Sequence, residues 1–258
     1  MIQWGARLIK MRKSKRRGKS LQEQMITIAI LIILAIAGYV YQNMVQPSQP
    51  KQVAQVQNST AVTVENLPTY DGRQLSIPLQ DNQPNFTDED KQLGAFETYS
   101  PLDSLGRCGV AYANICQETM PKSGEKRGDI SSIRPSGWKQ AKYDGEFLYN
   151  RCHLIGYQLA AENANEKNLI TGTRYFNVEG MLPYENQVAE YIQKNPSHHV
   201  LYRVTPIFEE DDLVAKGVEM EAYSQEDQGA GVCFHVFVYN VQPGITIDYH
   251  KGKSEAQK

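Results

Sequence analysis

The chain is poor in the residue patterns that hold structural metals. Its 258 residues include four cysteines and five histidines, but no two cysteines are spaced CxxC and no two histidines are spaced HxxxH. This argues against a structural zinc site, whose ligands usually follow such spacings. Cys108 and Cys116 could close a short disulfide loop outside the cell, and free thiols are the alternative that the sequence leaves open. The remaining cysteines are Cys152 and Cys233.

Most of the chain also lacks an excess of positive charge. The first twenty residues hold eight basic side chains and no acidic one, whereas residues 21–258 hold 19 basic and 29 acidic side chains, a net charge of −10. This excludes a wide basic face. Any nucleic acid would therefore be bound by a local basic patch or through a metal.

Residues 25–41 form a run of about seventeen residues without a charge, near the lower limit for a membrane-spanning helix. The basic arm before it, residues 1–24, is expected to stay in the cytoplasm, which places the C-terminal part outside the cell membrane in a single-pass protein. A signal peptide cleaved near Ala35–Ala37 is the alternative, and it predicts a secreted protein.

The rest of the chain divides into a linker, a domain and a tail. Residues 42–65 lack any sustained hydrophobic period and are predicted to be a linker; residues 66–250 are predicted to fold, and residues 251–258 to form a C-terminal tail. β-Rich segments at 96–102, 110–115, 199–208, 214–223 and 232–239, with a helix at 182–194, predict an α+β fold on an antiparallel sheet.

Residues 149–186 contain many amides and few branched aliphatic side chains, which is unusual for a structural core. His153 has partly apolar neighbours and, taken alone, is more typical of a hydrogen-bonded core residue. Arg151 beside it changes the interpretation, because a guanidinium fits a phosphate and a near-neutral histidine can activate water. This stretch is therefore interpreted as a functional site.

Asn177 and Glu185 lie eight residues apart in the same stretch. An amide oxygen and a carboxylate are hard oxygen donors that suit Mg²⁺, which keeps most of its water ligands. Taken singly, Asn177 is more typical of a turn or cap and Glu185 of an exposed helix acid.

The stretch resembles the DNA/RNA non-specific endonuclease family, of the ββα-metal type, and specifically its DNA-entry nuclease branch. The similarity extends over about residues 66–250. The matching pieces are Asn150-Arg151-Cys152-His153, Asn168-Leu169-Ile170, Arg174-Tyr175-Phe176-Asn177 and Glu185, with Arg134-Pro135-Ser136-Gly137-Trp138 before them.

The resemblance implies a ββα-metal core and a Mg²⁺-dependent endonuclease, with Mn²⁺ as the alternative ion. Members cut DNA, and often RNA, with little sequence preference and leave 5′-phosphates. His153 would be the general base, Asn177 the protein ligand of the hydrated metal, and Glu185 an acid that holds the metal's waters. Arg151 lies at the motif's arginine position and Asn168 matches a site-lining asparagine, so both are expected in the catalytic set. Apart from the resemblance, Arg127, Arg134 and Arg174 are candidates to contact substrate phosphates, although a lone exposed arginine is more typical of solvated surface.

Two positions depart from the family's usual Asp-Arg-Gly-His pattern: Asn150 replaces the aspartate and Cys152 replaces the glycine. They support a second hypothesis, in which the exported domain keeps the fold but is catalytically inactive and binds nucleic acid or a surface partner. A cysteine hydrolase is a weaker third hypothesis, because adjacent Cys152 and His153 side chains diverge on a strand.

Overall fold

The structure is a computed structural model that describes residues 63–257. It is an α+β fold of twelve strands and two α-helices. The helices are α1 (Tyr157–Ala160) and α2 (Leu182–Lys194). The strands are β1 (Ser76–Pro78), β2 (Phe96–Tyr99), β3 (Ala111–Ile115), β4 (Lys142–Tyr143), β5 (Glu146–Phe147), β6 (Tyr149–His153), β7 (Leu169–Thr173), β8 (Val200–Ile207), β9 (Gly217–Ser224), β10 (Cys233–Tyr239), β11 (Ile245–Asp248) and β12 (Lys253–Ala256).

The centre is a six-stranded antiparallel sheet in the order β1-β10-β9-β8-β3-β2. The three long strands β8, β9 and β10 are neighbours, which confirms the prediction from their β-rich sequence. The segment predicted at 96–102 ends as a strand at Tyr99. We attribute this to Pro101, which has no backbone N–H to donate to a ladder.

One face of the sheet carries the main hydrophobic core. Side chains alternate along a strand, so Val204, Met220 and Val236, which lie opposite one another on β8, β9 and β10, all point to this face. Helix α2 packs its apolar stripe, with Val188 and Ile192, into the same core. The predicted helix at 182–194 is confirmed.

The hairpin of β6 and β7 leads directly into this helix. A π-helical turn, Phe176–Met181, joins β7 to α2. Pro183, near the start of α2, has no N–H to bond to a carbonyl one turn back, which is consistent with a widened turn before it. The sequence thus forms two strands followed by a helix.

The opposite face is covered by the N-terminal part of the described chain. His235 on β10 is fully buried there, and its Nδ1 donates to the carbonyl of Gln83 while its Nε2 lies 2.6 Å from Glu219. Glu221 accepts from Arg203 at 2.6 Å and from the backbone N–H of Asn85 at 2.7 Å. This charged network fastens residues 83–85 to the sheet.

The pKa of His235 predicts a pH dependence of stability. Burial lowers this pKa, but Glu219 and Glu221 more than offset it, so the folded-state pKa lies above 6.5. A raised folded-state pKa contributes stability below pH 6.5 that is lost as the pH rises through that pKa. The difference in unfolding free energy between wild type and His235→Gln should therefore shrink as the pH rises above 6.5, as measured by urea unfolding. A difference that stays constant with pH would contradict this role of His235.

Regular structure is found on both sides of the predicted bounds 66 and 250. Val64–Asn66 forms a 3₁₀ turn that begins within the predicted linker, and Lys253–Ala256, within the predicted tail, pairs with Ile245–Asp248 as a hairpin. No helix within residues 63–257 has the length and hydrophobicity to cross a membrane. The predicted anchor or signal peptide at 25–41 lies outside the described residues.

Candidate active site

His153 is the last residue of β6, and its ring is only 7% exposed. Its Nε2 lies 2.9 Å from the carbonyl oxygen of Asn163. A carbonyl oxygen can only accept a hydrogen bond, so Nε2 carries the proton and Nδ1 is the unprotonated nitrogen. The backbone thus fixes the tautomer that a general base needs.

The environment of His153 also disfavours its charged form. Burial lowers the pKa of His153 below 6.5, and the positive charge of Arg127 acts in the same direction, while the bond to Asn163 opposes them. The imidazole is therefore mostly neutral at pH 7, and its free nitrogen is able to accept a proton.

Asn177 and Glu185 face the same cavity as His153. Asn177 lies in the π-helical turn, and none of the hydrogen bonds among residues 63–257 uses its side chain. Glu185, in the first turn of α2, is 9% exposed. Burial raises the pKa of Glu185 to about 7, although Arg127 and Gln158 partly offset this. A buried carboxyl with so high a pKa is typical of functional sites.

Gly156 gives this carboxyl its space. A Cβ atom at Gly156 would lie 2.5 Å from Oε2 of Glu185, closer than side-chain atoms can approach. The backbone of Gly156 has φ −57°, a conformation that any residue adopts. Glycine therefore suits this position because of its close packing against Glu185 and not because of its backbone conformation.

Two cavities meet at this site. The His153 cavity has a volume of about 340 Å³ and is lined by Arg127, Gly128, Ile130, Arg151, His153, Gly156, Asn163, Asn177, Leu182 and Glu185. The Trp138 cavity has a volume of about 590 Å³ and is lined by Arg127, Ile130, Arg134, Trp138, Gln140, Phe147, Tyr149, Asn150, Arg151 and Asn177. Four residues line both cavities.

Arg151 is held more tightly than the sequence suggested. Its Nε donates to the carbonyl of Ile133 at 2.6 Å and its Nη2 to that of Ser131 at 2.7 Å, and its guanidinium lies 4.2 Å from the Trp138 ring centre. Two of its five donors are therefore used to fix the 131–133 loop. Nη1 keeps its two donors for a phosphate.

The other predicted arginines differ in position. Arg127 is exposed, lies 5.3 Å from the Tyr157 ring centre and lines both cavities. Arg134 lines the Trp138 cavity and donates to the carbonyl of Ser131. Arg174 is exposed and lines neither of these cavities.

Asn168 lies beneath the site and does not line it. Its side chain is fully buried, accepting from the N–H of Ile155 at 2.9 Å and donating to the carbonyl of Ile155 at 3.0 Å. Because Ile155 follows His153 by two residues, Asn168 fixes the path of the chain as it leaves the histidine. This differs from the predicted position in the site lining.

The departure at Cys152 is accommodated by the core. Cys152 is fully buried, and its sulfur lies so close to Gly172 that a Cβ there would be 2.5 Å away. Burial raises the pKa of this thiol, which disfavours the cysteine hydrolase hypothesis.

All four cysteines lie within the described residues and are free thiols. Of the two alternatives for Cys108 and Cys116, a disulfide or free thiols, the structure therefore has the free thiols. Asn150 lines the Trp138 cavity.

The His153 cavity also fits a divalent cation of the hard type. The amide oxygen of Asn177 has no hydrogen-bond partner within residues 63–257, and the buried carboxyl of Glu185 lines the same cavity, so a small set of oxygen donors leaves room for water ligands. A second cluster, Glu219, Glu221 and His235, lies on the opposite face of the sheet. There the two carboxylates already have protein partners: Arg203 donates to Glu221 at 2.6 Å, and Nε2 of His235 lies 2.6 Å from Glu219.

Three contributors to the site have no recognisable signal in the sequence. Asn163 acts through its backbone carbonyl, which every residue possesses. Gly156 acts by lacking a side chain, and Gln158 acts through a contact to a helix that lies far along the chain.

Comparison with known proteins places these features in a family. The sequence model described as DNA/RNA non-specific endonuclease matches residues 84–226, more than half of the chain. A deoxyribonuclease of Streptococcus dysgalactiae subsp. equisimilis is 27% identical over 197 residues, which are 60% of this chain and 59% of that protein. The chain thus matches less than two thirds of this relative's length.

Two solved structures agree in fold. NucA from Streptococcus agalactiae, solved with a magnesium ion bound, is 26% identical with a TM-score of 0.61, covering 70% of this chain and 86% of NucA. The Sda1 nuclease, solved with a bound zinc ion, is 25% identical with a TM-score of 0.60, covering 71% of this chain and 97% of Sda1. The protein belongs to the DNA/RNA non-specific endonuclease family.

Proposed function

We propose that the protein is a metal-dependent endonuclease that hydrolyses phosphodiester bonds of DNA with little sequence preference. The observation that carries the proposal is the meeting of His153, Asn177 and Glu185 in one cavity. A neutral base lies there beside oxygen donors for a cation. The arginines that line the cavity supply the local positive charge that the acidic domain otherwise lacks.

In this proposal His153 activates the attacking water. Nδ1 of His153 removes a proton from the water while the water oxygen bonds to phosphorus. The bond from phosphorus to the 3′ oxygen then breaks, which leaves a 5′-phosphate and, after the 3′ oxygen takes a proton from solvent, a 3′-hydroxyl. The hydrogen bond from Nε2 to Asn163 keeps the neutral imidazole in the correct tautomer before the transfer, and the imidazolium that forms then releases its Nδ1 proton to solvent.

Asn177 and Glu185 are the residues proposed to hold the cation. Asn177 would bind it directly and Glu185 would orient its waters. When bound, a divalent cation supplies positive charge against the developing negative charge on the phosphate and leaving oxygen. We propose Mg²⁺, because the donors are oxygens and because NucA holds magnesium. Mn²⁺ is the alternative ion, and RNA is the alternative substrate.

The test is cleavage of supercoiled plasmid by the purified protein with Mg²⁺, with Mn²⁺, and with EDTA. We expect degradation that needs the metal and that EDTA abolishes. If folded protein leaves both plasmid and RNA intact with every metal, the enzyme proposal fails. The alternative of an inactive nucleic-acid-binding domain would then be examined by gel-shift assay.

Gly156→Ala is expected to lower the cleavage rate by about 10- to 100-fold, because the new methyl group displaces Glu185 and misplacing one catalytic group is costly. The measurement is kcat/KM on plasmid DNA. Gly94→Ala is the matched control, since a Cβ at Gly94 meets no atom within 4 Å. Equal rates for the two variants would contradict the role given to Gly156.

We also propose that residues 25–41 anchor the protein in the cell membrane, with the nuclease domain on the outer side. The proposal rests on the uncharged run and the eight basic residues before it. Protease treatment of intact cells should remove the domain from a membrane-bound, full-length chain. A domain that resists protease until the cells are lysed would contradict the orientation, and one found in the medium would indicate a cleaved signal peptide.

A further inference from the structure

Phe147 is an exposed aromatic residue at the rim of the Trp138 cavity. Its side chain is 54% exposed; the other large hydrophobic residue left exposed within residues 63–257 is Leu105, at 41%. Phe147 is held in place by its strand β5, which pairs with β4, and by Lys142, whose Nζ lies 4.2 Å from the ring centre. One face of a fixed aromatic ring is thus left for a ligand.

The cavity behind Phe147 has rigid walls. The Trp138 ring is covered by the guanidinium of Arg151, which is in turn held by two backbone carbonyls. Gln140 is also fixed, because its amide bonds both the N–H and the carbonyl of Tyr149, at 2.9 and 2.6 Å. With its amide used in this way, Gln140 is not available to read the edge of a base.

The charges of the cavity suit a nucleic acid backbone. Three arginines line it, Arg127, Arg134 and Arg151, and its lining includes no aspartate or glutamate. Aromatic rings combined with cations are typical of sites that bind single strands with little sequence preference.

The Trp138 cavity is continuous with the catalytic one, because Arg127, Ile130, Arg151 and Asn177 line both. A strand whose phosphate lies beside His153 would therefore bring a neighbouring nucleotide to Phe147. In a duplex that base is stacked and paired, and unstacking it is costly. In a single strand the base is free to turn outward.

We propose that the Trp138 cavity binds an unstacked base next to the cleaved phosphodiester, with Phe147 as the stacking surface. The protein then acts faster on single-stranded DNA than on duplex DNA. This inference rests on the proposed nuclease function and adds a substrate preference to it.

The test compares kcat/KM of the full-length protein on one single-stranded oligonucleotide and on the same sequence as a duplex. Wild type should cleave the single strand faster. Phe147→Ala should lower kcat/KM on the single strand by about 5- to 150-fold, which corresponds to the stacking free energy of one base on an aromatic ring. The ratio of kcat/KM on the single strand to that on the duplex should fall accordingly. Phe147→Tyr keeps the ring and should retain the preference, whereas Phe147→Leu keeps only apolar area and should lose it. Leu105→Ala is the matched control for loss of an exposed apolar side chain and should behave as wild type.

The outcomes separate this inference from the proposed function. If wild type cleaves DNA but Phe147→Ala cleaves the single strand equally fast, the base-binding inference is wrong and the nuclease proposal stands. If wild type cleaves nothing, a single strand carrying 2-aminopurine still tests the cavity by fluorescence. Quenching on binding that Phe147→Ala removes would support base stacking, and unchanged fluorescence would overturn it.

Discussion

His153→Ala is expected to reduce the cleavage rate by about 10²- to 10⁴-fold, the usual contribution of a general base. The imidazole is buried at the end of β6, its Nε2 is bonded to the carbonyl of Asn163, and it lines a cavity together with Asn177 and Glu185. Without it, water keeps its proton and remains a poor nucleophile. The measurement is kcat/KM on plasmid DNA at saturating Mg²⁺.

The pH profile of wild type gives a second measure of the same residue. A base must be unprotonated to act, and the pKa of His153 lies below 6.5. At saturating Mg²⁺, which favours the ionised form of Glu185, we therefore expect activity to rise with pH along an acid limb centred below 6.5.

Two controls keep the His153 result interpretable. His250→Ala removes an exposed histidine far along the chain and should leave the rate unchanged. Urea unfolding of His153→Ala shows whether the variant folds, because the carbonyl of Asn163 loses its partner. A folded His153→Ala with the wild-type rate would exclude this histidine as the base.

Asn177→Ala is expected to reduce the rate by about 10²- to 10³-fold, through loss of the charge stabilisation that the metal provides. The amide oxygen of Asn177 is the free donor in the π-helical turn that lines the cavity. The concentration of Mg²⁺ needed for half-maximal activity should rise. Asn177→Asp keeps an oxygen donor and should retain metal binding, as measured by titration calorimetry.

The control for Asn177→Ala is Gln187→Ala, which removes an exposed amide from α2. It should leave both the rate and the Mg²⁺ requirement unchanged. If Asn177→Ala binds Mg²⁺ as tightly as wild type, Asn177 is not the ligand, and Glu185 would be the next candidate for direct coordination.

Much of the fold could be predicted from local sequence. The β-rich runs specify β8, β9 and β10, because alternating apolar side chains must bury one face of each strand. Helix α2 was predicted with its observed ends, since Val188 and Ile192 share one face and Asn195-Pro196 prevents continuation. The short β4–β5 and β11–β12 hairpins were not predicted, because two- to four-residue strands carry too little periodicity.

The composition of the candidate site also follows from the order of residues along the chain. His153, Asn177 and Glu185 lie within one short segment of two strands and a helix, and this segment brings them together in one cavity. Each strand and the helix of the segment form from the residues that they themselves contain. The roles proposed for them rest on chemistry that depends on residue type: an imidazole accepts protons, and oxygen donors bind hard cations.

Only the tertiary structure decided how each of these groups is held. The carbonyl of Asn163 sets the His153 tautomer, Gly156 leaves space for Glu185, and Arg151 divides its donors between a loop and the cavity. Asn168 lies in the core and Arg174 lies away from the cavities, although both belong to the matching motifs. These differences depend on backbone atoms and on contacts between distant segments, which residue type does not specify.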